Sequence, residues 1–539
     1  MGRSGALGPL VHDLLGNSAQ RRPEAVLVVD GAHRATFGRI DENANRIASV
    51  LLGQGLRRGD RVGLLDENSA AYIEAYYGIL RAGGVVVSLS PASSPDTVSE
   101  LLRDCGARCV VCGARLRRMM SALVDLDGLE FILGPGGEQA AVDSRRRSCR
   151  VVDASAAIEA GDPRSPAVRI VDADRAAIVY TSGSTRRPRG VVLRHANVVA
   201  NTRSIVQYLE LTENDRIFVV LPFHYVYGKS LLNTHVAVGG SAVIENQFLY
   251  PQSALDRLER EEATGLSGVP STFAILLNKS NLASRSLPSL RYVTQAGGAM
   301  APELTRRLLA ALTGKKIFVM YGATEASARL SYLDPADLPR KVGSIGKAIP
   351  DVELRVLRDD GTEASVGEVG EIVARGPNIM EAYWNDPEET AAVLDALGYH
   401  TGDLGRRDDE GFLYVVGRKR EMIKSGAHRI APKEIEEMLA EHPMVDQAAV
   451  VGIPDEMLGE AIVAFVTLRP GTDDHRPSTL LEWCRRKLAP HKVPGRVEIV
   501  EALPLNASGK IDKLALGSMA VSASPRPPAA SDDAGTKPR

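Results

Sequence analysis

The run Tyr180-Thr181-Ser182-Gly183-Ser184-Thr185-Arg186-Arg187-Pro188-Arg189-Gly190 follows directly on the apolar residues Ala176, Ala177, Ile178 and Val179. Glycine lets backbone N–H groups converge on an anion. Thr181, Ser182, Ser184 and Thr185 add hydroxyl donors, and Arg186, Arg187 and Arg189 add positive charge. A polyphosphate is the natural guest of such a loop, and a plain surface turn is the competing reading, because Ser, Gly and Pro favour turns anyway. A Walker loop does not account for nucleotide binding here: Gly228-Lys229-Ser230 has Phe223 where that motif needs its first glycine.

Other short runs carry groups suited to the same chemistry. They are Gly297-Gly298-Ala299-Met300, Tyr321-Gly322-Ala323-Thr324-Glu325, Tyr399-His400-Thr401-Gly402-Asp403, Gly417-Arg418 with Ile423-Lys424-Ser425-Gly426, and the closing Ser508-Gly509-Lys510. In this order and spacing, from about residue 37 to 513, the chain resembles the adenylate-forming superfamily of acyl-CoA synthetases, peptide-synthetase adenylation domains and luciferases. Its wording is most similar to bacterial stand-alone acyl-CoA ligases.

The resemblance implies ATP, Mg²⁺ and CoA as cofactors and a set of roles. Thr181, Ser182, Gly183, Ser184 and Thr185, with Arg189, hold the β- and γ-phosphates. Thr324 meets the α-phosphate, Glu325 is the magnesium ligand, and Tyr321 with Gly322 faces adenine opposite Gly297, Gly298 and Ala299. Asp403 and Arg418 take the ribose, Lys510 reaches the reacting carboxylate, Gly426 admits the pantetheine thiol, and Arg420 serves as the hinge. His224 lies at the junction of acyl pocket and phosphates. These residue types suit an attack of carboxylate on phosphate, where both partners are anionic and cations must offset developing charge. Magnesium takes hard oxygen ligands and keeps several waters, so one carboxylate plus phosphate oxygens suffices. Two departures touch the phosphate loop: Arg186 stands where the family has glycine and Arg189 where it has lysine, so a planar fork replaces a point charge.

The partner is expected to be a small-molecule carboxylic acid. Tyr225 occupies the place where amino-acid-activating relatives commonly keep an aspartate, and no acidic residue occurs from Leu221 to Val238, so an α-amino acid is disfavoured. Tyr225, Val226, Gly228, Gly268, Gln295 and Ala296 are the expected pocket residues, and their mainly apolar or small character points to a hydrophobic acid, fatty or bulky and polycyclic or terpenoid. CoA is the expected acceptor. An acyl carrier protein, and a non-catalytic binding protein on the same fold, are the alternatives.

Positioning these residues calls for an α/β scaffold. Between 37 and 112 the pattern alternates helix and strand: apolar Ile40, Ala44, Ile47, Ala48 and Leu51, a strand at 62–65, a helix from Ala70, a strand at 85–88. A layered, mainly parallel sheet is expected, with several subdomains in residues 1–417. A hinge at 418–420 is expected to lead to a small mobile α+β lid at 421–517 and a disordered tail at 518–539, rich in Pro, Ala, Ser and Asp. The net charge of -2 offers no electrostatic footprint for nucleic acid. No apolar run reaches membrane-spanning length, and a cytoplasmic protein is expected. The oligomeric state has no signature here. Cys105, Cys109 and Cys112 have a metal-cluster spacing, but Cys109-Val110-Val111-Cys112 reads as a buried strand, so they are expected to be structural.

Overall fold

Helix Phe37–Gly53 turns Phe37, Ile40, Ala44, Ile47, Ala48 and Leu51 inward, and Thr36 caps its start by accepting the Arg39 N–H. The next helix, Ala70–Arg81, is capped by Ser69. It packs so closely on the first that a Cβ at Gly78 would stand 2.9 Å from the Ala44 carbonyl oxygen. Gly83, at φ +77°, then turns the chain into strand Val85–Leu89. The computed structural model describes residues 7–136, 149–181, 188–426, 428–455, 457–469, 471–472, 476–505 and 511–522.

The chain divides into two compact units at Val415 and Val416. In the first unit a nine-stranded sheet places Lys316–Tyr321, Tyr292–Gln295, Gly265–Gly268, Arg216–Val219, Ser241–Ile244 and Val26–Asp30 side by side, each pairing in parallel with the next. An eight-stranded sheet has Arg175–Thr181, Val85–Leu89, Arg61–Leu65, Cys109–Cys112, Phe131–Gly134 and Arg150–Asp153 in parallel, with Arg189–Arg194 folded back antiparallel on Arg175–Thr181. The short, continuously apolar strands are those of a sheet covered on both faces. A smaller antiparallel sheet contains Glu353–Leu357, Gly370–Arg375 and Gly398–Arg407. The cysteines are free and buried, and burial raises Cys112, for example, to about 12. Among the described residues no group of acidic, histidine or cysteine side chains could hold a metal by itself.

The second unit has its own five-stranded sheet, in which Val445–Asp455 pairs antiparallel with Gly459–Leu468 and Arg496–Ile499 pairs parallel with it. Two observations amend the expected boundaries. Strand Leu413–Arg418 ends on Arg418, so the first residue of the hinge expected at 418–420 is a strand residue. Helix Lys513–Ser522 enters the stretch expected to be a disordered tail. Leu516 and Ala520, four apart on one face, are both fully buried in a cluster with Phe465, which gives that turn a reason to order. Among the described residues no helix is long and apolar enough to cross a membrane.

Candidate active site

Four adjacent parallel strands of the nine-stranded sheet deliver candidate residues at their carboxyl ends. Lys316–Tyr321 ends on Tyr321 and leads to Thr324 and Glu325; Tyr292–Gln295 leads to Ala296, Gly297, Gly298 and Ala299. Gly265–Gly268 ends on Gly268, and Arg216–Val219 leads to His224. In open parallel sheets ligands bind outside this edge. Backbone crowding explains Gly322, where a Cβ would lie 2.0 Å from the Ala328 carbonyl oxygen. Gln295 does not reach for a ligand with its amide nitrogen: Nε2 donates to the Gly298 carbonyl at 2.8 Å and holds the Gly297–Gly298 turn.

Asp403 arrives from the small antiparallel sheet. Opposite Glu371 and Val373 the ladder register shifts, Gly402 takes φ +71°, and the Asp403 N–H donates to Thr401 Oγ1 at 3.1 Å. Thr401-Gly402-Asp403 is therefore the turn that its residues favour. That turn presents the buried Asp403 to Tyr321, whose hydroxyl donates to Oδ2 at 2.6 Å.

Glu325 sits in the short 3₁₀ turn Thr324–Ala326, beside a half-buried Thr324. Its Oε1 accepts the Tyr383 hydroxyl at 2.7 Å. Burial, with Glu325 nearby, holds the Tyr383 phenol well above the usual range. Tyr383 belongs to the edge strand Ala382–Tyr383, which pairs with Arg189–Arg194. Arg189 lies 5.6 Å over the Tyr383 ring, and its guanidinium meets Glu389 at 2.5 Å. Thr181 pairs with Arg189 across the hairpin. Ser182, Gly183, Ser184 and Thr185, together with Arg186, lie outside the described residues.

Behind this edge lies a cavity of about 30 Å³. His224, Tyr225 and Val226 line it, together with Lys229 on helix Val226–Val238 and Ser327 just after the Thr324–Ala326 turn. His224 packs tilted on Tyr225, burial lowers it to about 4, and its Nε2 has no hydrogen-bond partner among the described residues. The imidazole is therefore neutral at ordinary pH. Gly228, Gly268, Gln295 and Ala296, expected in the pocket, are not among the residues lining this cavity. Gly228 is a packing glycine instead, since a Cβ there would stand 2.1 Å from the Pro222 carbonyl oxygen.

Three expected residues belong to the second unit. Arg418 and Arg420 are exposed, and Gly426, at φ +59°, turns the chain after strand Ile423–Ser425 with its N–H on the Leu458 carbonyl at 2.7 Å. Lys510 lies outside the described residues.

The model of AMP-binding enzymes matches residues 15–384, and that of the AMP-binding enzyme C-terminal domain matches 434–510. The chain belongs to the AMP-binding enzyme family. It is 32% identical over 505 residues to the indoleacetate–CoA ligase of Aromatoleum aromaticum, covering 92% of this chain and 94% of the relative. To the feruloyl-CoA synthase of an Amycolatopsis species it is 31% identical over 495 residues, covering 92% and 96%. Among solved structures, the anthranilate CoA ligase AuaEII in complex with anthranoyl-AMP superposes with a TM-score of 0.87 at 26% identity, covering 96% of this chain and 99% of that one.

This AMP-binding enzyme is thus an AMP-forming acid–CoA ligase, of a class that uses ATP and CoA and acts on small carboxylic acids. Its sequence left three site neighbours unread. Tyr383 and Glu389 sit in a stretch with no motif of its own. Lys229 had a signal: it is a lone cation in a run from Leu221 to Val238 without a single acid.

Proposed function

We propose that this enzyme joins a compact carboxylic acid to AMP with release of pyrophosphate, then transfers the acyl group to CoA. The observation that carries the reading is the pair of tyrosine-held carboxylates, Tyr321 on Asp403 and Tyr383 on Glu325, beside the carboxyl end of strand Lys316–Tyr321. Asp403 is held where a carboxylate can accept both ribose hydroxyls, with Tyr321 presenting its ring to adenine and Gly297, Gly298 and Ala299 on the neighbouring strand end. Thr324 takes the α-phosphate, and residues 181–185 with Arg189 take the β- and γ-phosphates. Arg418 completes the ribose contacts and Lys510 the reacting centre.

A hard-oxygen donor set fits magnesium at Glu325. One oxygen is oriented by Tyr383 and the other has no partner among the described residues, so Glu325 would hold the ion, with phosphate oxygens and water as further ligands. When bound, the ion supplies positive charge against the phosphates. The neutral His224 can donate a hydrogen bond to the acid without adding charge.

The cavity is small and mixes Asn201, Asn233 and Ser327 with apolar walls, which supports a compact acid over a long fatty chain or a polycyclic one. The relatives carry names for feruloyl, indoleacetate and long-chain acyl groups, so kinship alone does not choose. Pyrophosphate release across a panel of carboxylic acids, followed by acyl transfer to CoA or to carrier proteins, tests the proposal. Release with compact acids and transfer to CoA is expected. Lys510→Ala should cut release by about two to three orders of magnitude. Release with long-chain acids only, or transfer only to carrier proteins, would overturn this reading.

A further inference from the structure

The cavity behind His224 contains a cation with no anion. Lys229 extends from helix Val226–Val238, one turn after Tyr225, and its Nζ donates to the Tyr72 hydroxyl at 2.6 Å and to Ser88 Oγ at 3.4 Å. The same nitrogen lies 3.9 Å from the Tyr76 ring centroid and 4.5 Å from that of Tyr72. No Asp or Glu lines the cavity, and among the described residues no carboxylate forms an ion pair with Lys229. His224 lines the same cavity, and its Nε2 is buried without a hydrogen-bond partner among the described residues.

Such an arrangement is expensive in an empty protein. An amine removed from water without a counter-ion loses solvation that two hydroxyls replace only in part, and burial accordingly holds Lys229 well below the ordinary lysine range. The surrounding groups nevertheless suit the charged form: two aromatic faces and two hydroxyl oxygens. What the cavity lacks is an acceptor strong enough to hold the proton on the amine. In a site that admits the acyl part of a carboxylic acid, the substrate is the natural source of it.

We infer that Lys229 is a specificity-determining residue that receives a second oxygen acceptor on the acyl part of the substrate, either a second carboxylate or an acidic hydroxyl. This rests on the acid-activating reading given above. The reacting carboxylate is left to the neighbouring edge with Thr324, and the second oxygen is taken one helical turn beyond His224.

The test is initial-rate pyrophosphate release by the full-length enzyme on size-matched acids. One arm carries a second carboxylate, one a hydroxyl, and one a methyl group at the same position. The enzyme should prefer a polar arm over the methyl arm by at least about tenfold in kcat/KM for the acid, since a site built to bond a polar group rejects the analogue lacking it. Which polar arm leads identifies the source of the oxygen. Lys229→Met should erase that preference through the KM for the acid and leave the KM for ATP unchanged, and Lys229→Gln, which keeps a donor, should retain part of it. A wild-type preference for the methyl arm overturns the inference even if both variants fail to fold. So does a polar preference that survives Lys229→Met. Failure of the acid-activating reading looks different: no arm would release pyrophosphate.

Discussion

Around Asp403 and Glu325 each carboxylate has a tyrosine hydroxyl on one oxygen, at 2.6 and 2.7 Å, and Arg189 is paired with Glu389. The cavity behind His224 is lined by Lys229 and by a His224 nitrogen that lacks a partner, and by no carboxylate among the described residues. The first region is pre-organised: a tyrosine hydroxyl orients each carboxylate, which suits the proposed nucleotide, the same in every turnover. The second leaves its polar groups to be completed. On the inference drawn for Lys229, the fit of the variable substrate then depends on what the substrate carries.

If the two regions divide the work in this way, damage to one should stay on its own side. Asp403→Ala removes a buried acceptor and strands the Tyr321 hydroxyl. At about 1.5–3 kcal/mol for a hydrogen bond to a charged group, kcat/KM for ATP should fall by about 100-fold. The KM for the acid should move less than about threefold. Steady-state kinetics in both substrates checks this, and equal changes in the two constants would break the separation.

Gly426 lies in the other unit and belongs to neither region. A Cβ there meets nothing within 4 Å, so Gly426→Leu brings backbone strain at φ +59° but no clash. It is expected to keep carboxylate-dependent pyrophosphate exchange and to lose CoA thioester formation by about tenfold. Parallel loss of both half-reactions would remove Gly426 from the thiol step.

The smallest effect is expected from Tyr383→Phe, which frees one oxygen of Glu325 and leaves the ring under Arg189 in place. Loosening one charge-assisted hydrogen bond should raise the Mg²⁺ concentration needed for half-maximal release by about three- to fivefold, with little change in the KM for the acid. A magnesium titration of the variant that overlays the wild type would show that Tyr383 does not orient Glu325.

Much of the first region was legible in the chain because it is made of short local runs. Tyr321 through Glu325 follow one strand and Thr401-Gly402-Asp403 form one turn, so glycine placement and hydroxyl spacing announce them without knowledge of their partners. The layered fold was legible for a similar reason. Helix Phe37–Gly53 and strands Arg61–Leu65 and Val85–Leu89 follow from periodicities of a few residues.

Sequence by itself determined the α/β layering, the family and the short runs proposed to meet the nucleotide, since each rests on patterns within about ten residues. Tertiary structure alone decided which side chains complete them. Tyr383 reaches Glu325 across 58 positions, Tyr321 reaches Asp403 across 82, and Lys229 reaches Tyr72 across 157. A hydrogen bond needs two atoms within about 3 Å. When its partners lie on different strands and helices, that distance is set by how the layers pack, which no local pattern encodes. The same holds for Lys229, which in the chain is one cation in an apolar helix and in the fold is the cation of an acid-free cavity.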